Sequence, residues 1–408
     1  MPPGGAKLGL MNDQAPLEAW TQRADAGAEA MIGLRRAIHA DPELGLDTPR
    51  TRDKLKQALA GLPLTYRDSS ATSGFVAVLD GARPGRTVLL RGDMDALPIE
   101  EATGLDFASR VPGRMHACGH DSHSAMLASA ARLLCERRDE FAGRILFMFQ
   151  PGEEGHHGAR HMLGEGLLGD PLPDGAFALH VWPTLDSGVV ACRAGTMLAS
   201  TDTLRATVHG RGGHAAMPHD ALDPIPVAAE IILALQAEVA RRTPVTDPIV
   251  LSITKVTAGT THNVLPDSVD LLGTLRTLSA EGRSRGRAAF ERICTHIAAA
   301  HGCTASVAID QGYPATINHP RAVSLVRALA GPAYRELPAA NMGGEDFSYV
   351  LEQVPGAMAF LGVGAPAASD EPRAPLHNPA MTIDEAALAT GVALHCAFAT
   401  RFLSAGWD

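Results

Sequence analysis

Ile145-Leu146-Phe147-Met148-Phe149, followed by Gln150-Pro151-Gly152-Glu153-Glu154, is the stretch on which the fold turns. Five consecutive apolar residues suit a strand buried on both faces, and the Pro151-Gly152 turn ends it on two adjacent acids. Downstream, 176–181 is a second apolar run, broken only by His180. Upstream, 122–138 has a helical pattern and follows Cys118-Gly119-His120-Asp121. Short β-rich runs at 75–79 and 87–90 are set off by the turn-like pairs Asp80-Gly81 and Pro84-Gly85. Residues 16–40 read as one amphipathic helix, with Trp20, Met31, Leu34 and Ile38 at helical spacing. Strands alternating with helices predict an α/β sheet whose functional residues lie on loops leaving the strand ends.

From Gly195 the texture changes. Strand-like 203–208, helical 226–240, strand-like 249–256 and 268–276, helical 285–301 and strand-like 305–309 follow in the order β-α-β-β-α-β, a ferredoxin-like unit. Apolar α/β texture resumes after Asn318. The expected division is a catalytic domain from 1–194 and 313–408, interrupted by an inserted α+β domain at 195–312. A loop rich in Ala and Pro occupies 365–375.

The chain has 408 residues, 46% of them hydrophobic, which is ample for two cores. A formal net charge of -10 with scattered basic residues argues against a nucleic-acid partner and favours a small-molecule substrate. Six irregularly spaced cysteines suit reduced thiols in a cytoplasm better than a disulfide framework. Residues 1–15 lack the basic and apolar regions of a signal peptide, and no apolar run is read as reaching the roughly 20 residues that span a bilayer, so no membrane partner is expected.

Cys118, His120, Glu153, Glu154, His180 and His377 are the types a borderline divalent ion and its attendant base require. Cys118 and His120 stand two apart, so an extended segment would project both to one face, and the positive end of a helix starting near Ser122 would lower the thiol pKa. Paired acids after a strand divide naturally into one metal ligand and one proton carrier. Each residue also has a plainer reading: a buried structural thiol, a solvated acidic turn, a core histidine at 180, a surface histidine at 377. A Cys118 nucleophile served by His120 is a further alternative, poorly suited to neighbours at i and i+2.

Eight ordered motifs remove most of this ambiguity. Gly92-Asp93-Met94-Asp95-Ala96-Leu97-Pro98, Met115-His116-Ala117-Cys118-Gly119-His120-Asp121, Gln150 to Gly155, His180 with Pro183, Gly213-His214, Asn263-Val264-Leu265-Pro266-Asp267, Gly344-Glu345-Asp346-Phe347 and Leu376-His377-Asn378-Pro379 together resemble the M20 metallopeptidases, the aminoacylase and dipeptidase family. The Cys-Gly-His-Asp form resembles the branch holding hippurate hydrolases and auxin-conjugate amidohydrolases. The resemblance implies a zinc-peptidase-like α/β/α catalytic domain with an inserted lid and dimerisation domain, hence a homodimer or higher homo-oligomer. It implies that Cys118, His120, Glu154, His180 and His377 hold two divalent ions, zinc or else manganese, cobalt or nickel. It makes Glu153 the general base and places His214, Asn263 and Arg276 on the substrate, Arg276 meeting its carboxylate. Asp93, standing where other branches have a ligating His, is not expected to ligate; Asp95 is expected to orient the ligands. His116, His123 and His161 are read as supporting or surface residues, and His156-His157 as a solvated loop. The implied activity is hydrolysis of N-acyl amino acids by metal-activated water. The alternatives are a metallocarboxypeptidase or dipeptidase, and a non-catalytic binding protein on the same fold.

Overall fold

The computed structural model describes residues 16–365 and 372–407; the reading of 1–15 and most of the 365–375 loop fall outside them. Contacts divide the chain into two compact units, one of Met1–Ala194, Asn318–Leu337 and Val350–Asp408, the other of Gly195–Ile317 and Pro338–Tyr349. The second unit thus takes in 313–317 and 338–349, which the sequence reading gave to the first.

The first unit is built on an eight-stranded mixed sheet in the order Thr65–Asp68, Phe75–Asp80, Ala142–Gln150, Arg83–Asp93, Gly175–Asp186, Gly356–Gly364, Val190–Cys192, Tyr334–Glu336. Its centre is parallel: Ala142–Gln150, Arg83–Asp93, Gly175–Asp186 and Gly356–Gly364 run side by side in one direction. That explains the unbroken apolar runs, because helices cover both faces of such strands; Ile145 to Phe149 and Ala176 to Leu179 are all buried. Pro84 and Gly85 do not end a strand as their type suggests. They lie inside Arg83–Asp93, where the register shifts, and a Cβ on Gly85 would meet Gly143 N at 2.8 Å.

The amino-terminal helix is two helices, Pro16–Ala26 and Ala28–His39, parted at Gly27, a poor helix former. The carboxy-terminal segment Glu385–Ala405 corrects another expectation, for by length and composition it could cross a membrane. Its most apolar 18-residue window is 78% buried inside the protein, as in the core helix of a globular unit. All six cysteines are free and buried.

The second unit has the expected order. Strands Ser200–His209, Ile249–Ala258, Ser268–Thr277 and Thr304–Gln311 form an antiparallel sheet, with helices Pro224–Arg242 and Ala280–Ala300 between them in sequence. Leu204, Ala206, Val208, Leu271 and Leu275 form a core with Val227, Ile231, Phe290 and Ile293 of the helices. Alternation along Ser268–Thr277 leaves Thr274 and Arg276 only half buried, on the face away from that core.

Candidate metal centre

Adjacent parallel strands deliver the acids. Arg83–Asp93 ends at Asp93 and leads to Asp95, while the neighbouring Ala142–Gln150 ends three residues before Glu153. Asp95 joins the two loops: Oδ1 accepts the Glu153 N–H at 3.0 Å and Oδ2 the Glu154 N–H at 3.1 Å. Its Oδ1 also lies 3.4 Å from His120 Nδ1. One buried carboxylate therefore fixes the backbone of both acids and stands beside one histidine.

Cys118 and His120 reach the cluster differently from what their spacing suggests. Gly119 adopts φ 82°, so the segment is bent rather than extended, and His120 opens the helix His120–Cys135. A Cβ at 119 would stand 2.3 Å from Val181 Cγ2, in a conformation that side chains rarely adopt, so both geometry and space call for glycine. His377 also has positive φ, 64°, stabilised by its N–H donating to Ala117 O at 2.8 Å, and its Nε2 lies 3.2 Å from Glu154 Oε1. A non-glycine residue held there is stored strain of the kind that gathers at functional sites.

Among the sets of donor atoms that lie within 4.8 Å of one another are Cys118, His120 and His180; Cys118, Glu154 and His377; and His120, Glu153 and Glu154. Because the sets share members, the structure gathers the five predicted ligands and Glu153 into one cluster. Asp93, His120 and His123 meet the same distance test, but His123 has no lone pair to offer. Its Nε2 accepts the Val181 N–H at 2.8 Å, so Nδ1 carries the hydrogen and donates to Asp93 Oδ1 at 2.6 Å. His180 has the opposite arrangement. Its Nδ1–H donates to Val181 O at 2.7 Å, leaving the Nε2 lone pair 3.4 Å from Cys118 Sγ.

The electrostatics correct one expectation. The Cys118 pKa is not lowered: burial, then Glu154, Glu153 and Asp93, push it well above the ordinary thiol value. That environment opposes a free nucleophilic thiolate and suits a thiolate only alongside added positive charge. Burial disfavours the His120 cation, yet Asp93, Asp95 and Glu154 outweigh it and raise this imidazole to about 10. Both His120 ring nitrogens and Glu154 Oε1 are buried without a well-formed hydrogen bond. Orphaned donors converging among acids are what a divalent ion satisfies, so the residues fit a metal.

Sequence reading missed the supports. Arg91, fully buried, pairs with Asp93 and donates Nε to Gln150 Oε1 at 2.9 Å; a charge inside an apolar strand was its only signal. Asp121 is anchored by Arg35 Nε at 2.7 Å and His39 Nδ1 at 2.8 Å, tying the helix behind His120 to Ala28–His39. His116 and His123 are both buried rather than at the surface, and burial lowers His116 to about 3, a neutral ring. His156 and His161 are exposed.

His214, Asn263 and Arg276 belong to the second unit. The short strands Gly213–His214 and Val264–Leu265 pair with His214 opposite Val264, and Ala215 N–H donates to Asn263 O at 3.1 Å, which sets His214 and Asn263 side by side. His214 Nδ1 accepts the Ala216 N–H at 3.0 Å, so its Nε2 carries the hydrogen. Arg276 makes its hydrogen bond to Thr274 and has no carboxylate partner among the described residues.

The Peptidase family M20/M25/M40 model matches residues 89–401. N-acetyl-L-cysteine deacetylase of Bacillus subtilis is 38% identical, over 88% of this chain and 84% of its own. Thermostable carboxypeptidase 1 of Saccharolobus solfataricus is 35% identical over 96% and 98%. The crystal structure of the Bacillus subtilis YXEP protein, described as a dinuclear metal-binding peptidase from the M20 family, superposes with a TM-score of 0.80 at 33% identity, covering 93% of this chain and 99% of that one. With a cluster of divalent-metal donors on a sheet of this architecture, the chain belongs to the M20/M25/M40 peptidase family and is an amidohydrolase.

Proposed function

We propose that the protein cleaves the amide bond of N-acyl or N-aroyl amino acids, giving a carboxylic acid and a free amino acid. The observation that carries this reading is the placement of Glu153: a buried acid in the donor cluster, its Oε2 3.9 Å from His120 Nε2 and its backbone clamped by Asp95. The similarity to an N-acetyl-L-cysteine deacetylase supports an acylated amino acid as substrate.

In this reading Cys118, His120, Glu154, His180 and His377 hold two divalent ions, zinc or else manganese, cobalt or nickel. Such ions supply Lewis acidity toward the scissile carbonyl and make water acidic enough to react near neutral pH. Glu153 takes a proton from the attacking water and returns it to the leaving nitrogen. Asp95 keeps Glu153 and Glu154 in register, and the His180 tautomer keeps its Nε2 lone pair available. The His214 Nε2–H donates to the oxygen that gains charge in the transition state, Asn263 helps hold the substrate, and Arg276 pairs with its carboxylate. The second unit would serve as lid and dimerisation module, and the six free thiols suit the cytoplasm.

The carboxypeptidase relative favours a second reading, the same centre acting on a peptide bond. Metal analysis combined with hydrolysis of N-acetyl, N-benzoyl and indole-acetyl amino acids and of dipeptides, before and after chelation, separates the two. Metal-dependent release of amino acid from the N-acyl compounds is expected. Turnover of dipeptides alone would establish the second reading, and an inert panel with metal bound would defeat both.

A further inference from the structure

The surroundings of Arg276 show how its guanidinium is aimed. Arg276 and Thr274 share one face of the strand Ser268–Thr277, and Arg276 Nε donates to Thr274 Oγ1 at 3.1 Å. The same hydroxyl donates to the backbone oxygen of Asp202 at 3.3 Å, on the adjacent strand, so its single hydrogen is committed and a lone pair faces Arg276. Asp202 is itself fixed. Its buried carboxylate accepts from Arg283 Nε and Nη2 at 3.0 and 2.7 Å and from Arg287 Nε and Nη2 at 2.8 and 2.7 Å, both arginines standing on the helix Ala280–Ala300. Asp202 thereby commits its hydrogen bonds to the two neighbouring cations; its charge still reaches Arg276, half buried, whose side-chain hydrogen bond among the described residues goes to the Thr274 hydroxyl.

A guanidinium can grip a carboxylate through two edges, Nε with one terminal nitrogen or the two terminal nitrogens together. With Nε occupied, only the second edge offers two donors. We propose that Thr274 is a positioning residue that commits Arg276 to meet the substrate carboxylate end-on through Nη1 and Nη2. The proposal rests on the reading of Arg276 as the carboxylate partner and adds the residue that determines its approach.

The test uses calorimetry on the full, metal-loaded chain carrying Glu153→Gln, introduced to suppress turnover, with N-acetyl-L-alanine and its uncharged primary amide. With Thr274 intact the carboxylate is expected to bind more tightly. Thr274→Val, nearly the same shape, is expected to weaken the carboxylate roughly 10-fold and the amide hardly at all, consistent with loss of a hydrogen bond to a charged group. Thr274→Ser is expected to restore the preference. Equal weakening of both compounds, an unchanged preference in Thr274→Val, or a serine variant as poor as valine would overturn the positioning role. Failure of the wild-type enzyme to hydrolyse any N-acyl amino acid would defeat the substrate reading while leaving a hydroxyl-dependent carboxylate preference standing. Absence of that preference with Thr274 intact would defeat this inference and leave amide hydrolysis untouched.

Discussion

The cluster around Cys118 and the face carrying Arg276 present opposite electrostatic problems. In the first unit, Asp93, Asp95, Glu153 and Glu154 crowd a buried space in which Arg91 is paired to Asp93, and the Cys118 thiol is pushed up by burial and then by the surrounding negative charge. In the second, one carboxylate, Asp202, is shared by two arginines, and Arg276, which also feels its charge, forms no ion pair of its own among the described residues. Unbalanced buried charge is costly unless something arrives to balance it. The proposed function rests on this contrast, with a cation for the acidic cluster and the substrate carboxylate for Arg276.

The largest effect that could break this comparison is at Glu153. Glu153→Gln should lower kcat by about 10³-fold or more with metal content unchanged, measured by steady-state kinetics beside elemental analysis; substantial residual turnover would remove Glu153 as the base. Next, His214→Gln should lower kcat about 10²-fold without loss of metal, as for an oxyanion donor, and an unaffected kcat would confine catalysis to the first unit. Cys118→Ser should weaken metal affinity by roughly 10- to 100-fold by competitive chelation; full occupancy with no turnover would revive a nucleophilic thiol.

The smallest effect concerns Asp202. Burial opposes its ionisation, but Arg287 and Arg283 outweigh it and hold the carboxyl below its ordinary value. A depressed folded-state pKa stabilises the fold above the unfolded value of about 3.9, and that contribution disappears as pH falls through the lower folded value. Asp202→Asn should therefore cost on the order of 1–3 kcal/mol at pH 7, with the gap to wild type narrowing below about pH 4 in urea melts. A gap that persists at low pH would show that shape rather than charge holds Arg283 and Arg287.

Local signals that act through their own chain were legible. The run Ile145 to Phe149 disclosed a central parallel strand because burial on both faces demands apolar side chains at every position. Ordered motifs identified Cys118, His120, Glu153, Glu154, His180 and His377, which the fold then brings together. The break at Gly27 was harder to see because the helical spacing of apolar residues carries across it. The expected lowering of the Cys118 pKa did not appear for a different reason: a helix terminus can be inferred from sequence, but the depth of burial and three carboxylates delivered by other segments cannot.

By itself, then, the amino-acid sequence disclosed most of the element order through residue type and periodicity, and its ordered motifs carried the resemblance that named the family and the candidate metal donors. Only the tertiary structure decided which of several nearby histidines keeps a lone pair, since His123 spends both nitrogens on Asp93 and Val181 while His180 retains Nε2. It likewise decided that Asp95 accepts from the backbone of two acids and that Thr274 accepts from Arg276. Hydrogen-bond partners and dielectric surroundings come from chain segments far apart in sequence, and they become defined only when the sheet brings those segments side by side.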